Sequence, residues 1–291
     1  MKAGFVNIFG RPNAGKSTLL NALLQEKLAI VSPKVQTTRH RIKGFYTQPN
    51  EFQIVFSDTP GIMNPKYKLH ERMMKYVKSA LEDADVALLV VDIKDNWQEL
   101  ADLFASLALK VPSLVLINKC DTATAAKIQE AEAFFTSQPF ANKVVCISAL
   151  QTTDFSALLQ QIVAFLPESE AFYNEDDLTD LPTKFFVGEM VREKIFDLLG
   201  DEIPYHSAVM VNEFKEQPEI IRIQADIIVQ RETQKGIMLG QGGAMIKQIG
   251  SEARKNIEAF LGTKVFLQLF VKVRPKWRDN DHQLKEYGYG A

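Results

Sequence analysis

The sequence is poor in sulfur and has no long apolar run. Its two cysteines, Cys120 and Cys146 among 291 residues, match no metal-ligand spacing and are too few for a disulfide framework, so they read as small core residues of a reducing compartment. No segment approaches the ~20 apolar residues that cross a bilayer. The opening MKAGFVNIFG is too short an apolar stretch for a secretory signal, so a cytoplasmic protein is expected. Net charge is nearly absent as well: 34 basic and 36 acidic side chains leave −2, a balance that conceals local charge structure. Internal repeats and low-complexity tracts are also lacking.

What is present is an ordinary globular composition, 46 % apolar and 24 % charged, in a chain about two domains long. Up to residue 165, short apolar runs alternate with stretches of helical period. Strands are expected at Val6–Phe9, Glu51–Ser57, Val86–Val91, Ser113–Ile117 and Lys143–Ile147. Helices are expected at Lys16–Leu24, His70–Leu81, Leu100–Leu109, Thr122–Phe135 and Phe155–Phe165. That alternation predicts an α/β domain, a mostly parallel sheet with helices on both faces; the almost wholly apolar Val86–Val91 fits a strand covered twice. The acidic, aperiodic Pro167–Pro182 reads as a linker. Beyond it come a helix at Lys184–Leu199, strands at Ser207–Phe214 and Ile220–Gln230, a glycine-punctuated helical region at Thr233–Leu261 and a strand at Val265–Val273. The expected division is 1–167, a linker at 168–182, and a smaller α+β domain at 183–291.

Gly10-Arg11-Pro12-Asn13-Ala14-Gly15-Lys16-Ser17 satisfies G-x-x-x-x-G-K-[ST] between a strand and a helix. Glycines there let backbone N–H groups wrap a polyphosphate, and the helix start adds a favourable field. Asn13, Ala14, Gly15 and Thr18 belong to this cradle; Lys16 is expected at the β- and γ-phosphates and the Ser17 hydroxyl at Mg²⁺. Asp58-Thr59-Pro60-Gly61 follows the second strand. Asp58 suits Mg²⁺ held through water, and the Gly61 N–H suits the γ-phosphate, so this loop senses hydrolysis. Asn118-Lys119-Cys120-Asp121 follows an apolar strand, where Asp121 can accept two hydrogen bonds that guanine offers and adenine does not. Ser148-Ala149-Leu150 supports the base through backbone N–H. The four segments in this order predict a GTP-binding, GTP-hydrolysing P-loop domain taking GTP or GDP with Mg²⁺.

With QTTRHR added, the segments GRPNAGKS, DTPG, NKCD and SAL resemble the Era family of bacterial GTPases over nearly the whole chain. The resemblance implies that Gln36–Arg39 is the first switch, with Thr38 as its Mg²⁺ ligand and Thr37 as the alternative. Ile62 stands where Ras-like enzymes carry a water-orienting glutamine, which implies slow unaided hydrolysis resting on Lys16, Thr38, Gly61 and Asn13. Asn13 resembles an asparagine that holds K⁺ beside the phosphates in related GTPases; the alternative is that it only shapes the loop.

In the second domain, Gly240-Gln241-Gly242-Gly243 forms a G-x-x-G between helical stretches, a loop bare enough to meet a nucleic-acid backbone. Ile237, Met238, Leu239 and Ile246 fit one side of a groove or the core, and Lys247 stands just past the loop. Lys264, Lys272, Arg274, Lys276 and Arg278 form a strip free of acid with Trp277 interleaved, suited to phosphate contact and base stacking or to a solvated strand face. The element order α-β-β-α-α-β resembles a type II KH domain. From the family, the expected partner is small-subunit (16S) ribosomal RNA near its 3′ end, with the 30S subunit as the assembly assisted and the chain a monomer. The competing expectation is a module that docks to a protein or, peripherally, to the inner membrane surface through the same strip.

Overall fold

The computed structural model describes residues 1–32, 34–200 and 202–290. It divides into two compact units, Met1–Asn64 with Met73–Asp180, and Pro65–Arg72 with Leu181–Ala291.

The first unit is built on a six-stranded sheet ordered β2-β3-β1-β4-β5-β6. Its strands are β1 (Lys2–Phe9), β2 (Ile42–Gln48), β3 (Phe52–Asp58), β4 (Val86–Asp92), β5 (Ser113–Asn118) and β6 (Lys143–Cys146). All neighbours run parallel except β2, which is antiparallel to β3. Strands β4 and β5 are buried along almost their whole length, as their unbroken apolar runs require. The helices are α1 (Lys16–Leu24), α2 (Lys68–Glu82, in this unit from Met73), α3 (Trp97–Ser106), α4 (Ala125–Thr136) and α5 (Ser156–Phe165). Leu100 and Phe104 of α3 and Ala131 and Phe135 of α4 close one core over Leu89, Val91, Val115 and Ile117. Because the strands are parallel, the loops after Phe9, Asp58, Asp92, Asn118 and Cys146 gather at one sheet edge, where ligands of such sheets bind.

Two features of this unit escape the sequence pattern. Strand β2 has a mixed polar sequence, IKGFYTQ, because it lies at the edge of the sheet. Along it runs the acidic segment read as a linker. The Phe45 N–H donates to the Leu178 carbonyl (2.9 Å), the Thr179 hydroxyl to the Lys43 carbonyl (2.7 Å), and Lys43 pairs with Asp180 at 2.9 Å. Tyr173 stacks on Phe45 with centroids 3.8 Å apart, while Gln53 accepts from the Phe172 and Tyr173 amides. The strap thus covers backbone that an exposed edge strand would offer to other chains.

In the second unit, α6 (Thr183–Leu198) precedes β7 (Ala208–Gln217) and β8 (Ile220–Val229); α7 (Glu232–Leu239) and α8 (Ala244–Leu261) lead to β9 (Val265–Val273), and α9 (Asp281–Glu286) follows. The sheet is ordered β7-β8-β9, with β8 antiparallel to β7 and parallel to β9. A parallel step needs a crossover, which α7 and α8 supply. Val187, Val191 and Ile195 of α6, Met238 of α7 and Ile249, Ala253 and Ile257 of α8 bury against Ile223, Ile227 and Val265. Helix α9 is too short to leave a periodic signature; Asn280 caps it, accepting from the His282 and Gln283 amides.

Replacing Tyr173 with Ala removes the stacked pair and part of the strap's apolar contact, and is expected to lower the stability of the first unit by about 1–2 kcal/mol. Chemical denaturation measures this; a change within error would show that the strap is not energetically bound to β2.

Candidate functional site

The phosphate loop joins β1 to α1. Gly10 has φ +146°, and a Cβ there would lie 2.3 Å from the Val90 carbonyl oxygen; at Gly15, φ +99°, a Cβ would lie 2.2 Å from Asn118 Nδ2. Only glycine fits either place. Helix α1 has neither a side-chain cap nor an acidic residue in its first turn, which leaves its leading N–H groups and positive end for an anion. Lys16 is 6 % exposed and donates to the carbonyls of Gly10 (3.0 Å) and Arg11 (2.9 Å). Burial pushes its pKa down, with Asp58 and Asp95 pulling it up.

Three side chains from separate segments meet beside Lys16. Ser17 Oγ lies 2.5 Å from Asp58 Oδ2 and 2.9 Å from Thr38 Oγ1, and Thr38 Oγ1 donates to Asp58 Oδ2 at 3.2 Å. Thr37 is turned elsewhere, donating to the Lys34 carbonyl at 2.7 Å, so of the two candidate threonines Thr38 joins the cluster. Asp58 is fully buried, and its Oδ1 has no hydrogen-bond partner among the described residues. Burial pushes its carboxyl above the usual range against the pull of Lys16, Ser17 and Thr38. A buried carboxylate oxygen without a partner, beside two hydroxyls, fits a hard cation that takes oxygen ligands and keeps some of its water. Gly61 packs its backbone on the phosphate loop, where a Cβ would come within 2.7 Å of Pro12 Cγ.

The base side is tied to the phosphate side through Asn118. Its Nδ2 donates to the Ala14 carbonyl (2.8 Å) and its Oδ1 accepts from the Ala149 amide (2.9 Å), joining three loops with one buried amide. Lys119 donates to the Asn13 carbonyl (2.8 Å) and pairs with Asp92 at 2.5 Å. A cavity of about 480 Å³ is lined by Asn13, Gly15, Lys16, Ser17, Thr18, Thr38, Gly61, Asn118, Lys119, Asp121 and Ser148–Leu150. Ala14 does not line it and lies beneath, buried, while Leu150 stands exposed at the rim. The sequence reading missed Ile30, Val31 and Ser32, which form part of the wall without any motif, and Asp92, whose only signal is its place at the carboxyl end of β4.

In the second unit, Gly240 has φ +69° and its Cβ would lie 2.8 Å from Met245 N, so this glycine is required; Gly242 (φ +60°) and Gly243 (φ +81°) face open space. Helix α8 starts at this loop with no side-chain cap and no acid in its first turn. Ile237 is exposed, Gln241 and Lys247 are exposed and Leu239 is half-buried, whereas Met238 belongs to the core.

The strip needs correction. Trp277 is fully buried: its Nε1 donates to the His206 carbonyl (3.0 Å) and its ring packs against Tyr287 and Tyr289. An indole enclosed in this way cannot stack a base; it anchors the carboxyl-terminal segment. Lys272 pairs with the buried Asp226 at 2.6 Å, and the Arg278 guanidinium lies 4.1 Å over the Tyr67 ring. Arg274 and Lys276 remain exposed.

Comparison with known proteins agrees with this geometry. The family described as "50S ribosome-binding GTPase" matches residues 5–119 and the KH domain family residues 202–278. GTPase Era of Caldanaerobacter subterraneus subsp. tengcongensis is 43 % identical over 99 % of this chain and 98 % of its own, and that of Geotalea uraniireducens is 45 % identical over the same shares. A variant of Aquifex aeolicus Era bound to GDP·AlF4⁻ superposes with a TM-score of 0.95 at 40 % identity, covering 100 % of both chains. An Era structure holding MgGDPNP and nucleotides 1506–1542 of 16S ribosomal RNA matches with the same score, identity and coverage. The fold and the cavity therefore define a P-loop GTPase joined to a KH domain. The chain belongs to the GTPase Era family.

Burial raises the folded-state pKa of Asp58, so in nucleotide-free protein its stabilising proton is lost, and stability falls, as pH rises through that raised value. Asp58→Asn is expected to flatten this dependence, to raise the Tm of nucleotide-free protein at pH values where the carboxyl is ionised, and to abolish the extra stabilisation that Mg²⁺ gives with nucleotide. Thermal melts with and without MgGDP test this; an unchanged Mg²⁺ effect would contradict it.

Proposed function

We propose that this chain is a GTP-controlled switch that binds 16S ribosomal RNA near its 3′ end and assists assembly of the 30S subunit in the cytoplasm. The observation that carries the nucleotide half is the convergence of Lys16, Ser17, Thr38, Gly61 and Asp121 on one cavity, with Asp58 buried behind it. Support for the RNA half comes from the open Gly242–Gly243 loop at the uncapped start of α8 and from the relative solved with 16S RNA.

In this reading the Lys16 ammonium and the leading amides of α1 neutralise the β- and γ-phosphates, and the Gly61 N–H donates to a γ-phosphate oxygen. Asp121 accepts from guanine N1–H and the 2-amino group, and the Ala149 and Leu150 amides face the base. Ser17, Thr38 and Asp58 would hold Mg²⁺, which when bound would offset phosphate charge. Asn13, at the loop apex with φ +65°, is the proposed K⁺ ligand. No side chain at Ile62 can orient water, so unaided turnover is slow. Loss of the γ-phosphate releases the Thr38 and Gly61 contacts, loosening both switches. If GTP favours RNA binding, RNA favours GTP by the same factor.

The RNA contact is assigned to Ile237, Leu239, Gly240–Gly243 and Lys247, with Arg274 and Lys276 on phosphates. A peripheral membrane role gains no support from the strip, since Lys272 and Arg278 are engaged within the protein.

Two substitutions test the halves separately. Asp121→Asn is expected to shift preference from GTP to xanthosine triphosphate by at least about 100-fold, read by competition titration; unchanged selectivity refutes the guanine assignment. Gly242→Asp places a charge in open space and should weaken binding of a 16S 3′-end oligonucleotide more than about tenfold while GTP binding persists. Equal RNA affinity in wild type and variant refutes the loop assignment.

A further inference from the structure

We infer that Asp92 is a positioning residue that fixes the Lys119 side chain against the apex of the phosphate loop and so slows nucleotide release. Asp92 ends β4 and lies in register with Asn118, the last residue of β5. The next residue, Lys119, has φ +63°, and its stem lines the cavity before its ammonium reaches two acceptors from different loops. One is Asp92 Oδ2 at 2.5 Å, the other the Asn13 carbonyl at 2.8 Å.

The carboxylate is itself held. Its Oδ1 accepts from the Lys94 amide at 2.9 Å, and the Asp92 carbonyl accepts from the Asp95 amide at 2.9 Å. Its side chain is 18 % exposed, so solvent screens the ion pair only in part. At the other end, Asn13 occupies left-handed backbone space (φ +65°), which asparagine tolerates better than most non-glycine residues and which its surroundings help to fix. The Lys119 ammonium is one such restraint. Asp92 therefore acts on the nucleotide at one remove: it orients Lys119, and Lys119 holds both a wall of the base pocket and the loop apex over the phosphates. Arg11 cannot substitute, being paired with Glu99 at 2.6 Å.

The experiment is a release assay on the full-length chain loaded with a fluorescent GDP and Mg²⁺ and chased with unlabelled GDP. Asp92→Asn should speed release about tenfold, the scale of one charge-assisted hydrogen bond, and Asp92→Glu should recover most of that loss. In a Lys119→Met background, which should itself release faster, Asp92→Asn should add nothing, because coupled residues are not additive. An unchanged release rate for Asp92→Asn overturns the inference. So does full additivity with Lys119→Met, or faster release that follows only a fall in Tm and is not rescued by Glu.

Discussion

The constraint on which the rest depends is the burial of opposite charges at the carboxyl edge of a parallel sheet. Lys16 and Asp58 are withdrawn from water, and burial pushes the ammonium's pKa down and the carboxyl's up. Each ion is costly there without a partner. Triphosphate oxygens and a divalent cation would supply both partners, so the site is a place where folding energy is withheld until ligand arrives. The glycines at 10 and 15, the uncapped α1 and the Asn118 amide all serve that arrangement, since each brings backbone dipoles or loops to where the charges lie.

A second consequence concerns the switches. Thr38 and Asp58 meet through hydroxyl and carboxylate contacts around Ser17, and a Cβ at Gly61 would come within 2.7 Å of Pro12 Cγ in the phosphate loop. The Thr38 and Asp58 contacts are polar, unlike the apolar packing of α3 and α4 on the sheet. Polar contacts of this kind are the ones a γ-phosphate can order or release. Strand β2, which begins at Ile42 shortly after the proposed first switch, is clamped by the 168–180 strap.

Much of this was legible in the sequence because the phosphate loop is local: eight consecutive residues between a strand and a helix specify it. The apolar runs of β4 and β5 were equally plain. What could not be read was long-range. Nothing near Asn118 announces that its amide joins residues 14 and 149, and nothing near Asp92 announces Lys119. Strand β2 and the strap were obscured because an edge strand carries mixed polarity and its cover is acidic and aperiodic. Trp277 was misread for a similar reason: an indole between cations has one sequence signature whether it faces solvent or closes a core. The KH element order was legible from periodicity, whereas α9, six residues long, was not.

The most direct test of the central claim is calorimetric titration of the full chain with GTP, and separately with ATP, at fixed Mg²⁺. Charge burial together with the guanine contact proposed for Asp121 predicts saturable single-site heat for GTP that weakens when Mg²⁺ is chelated, and no comparable heat for ATP. Equal binding of both nucleotides, or no heat from GTP, would contradict it.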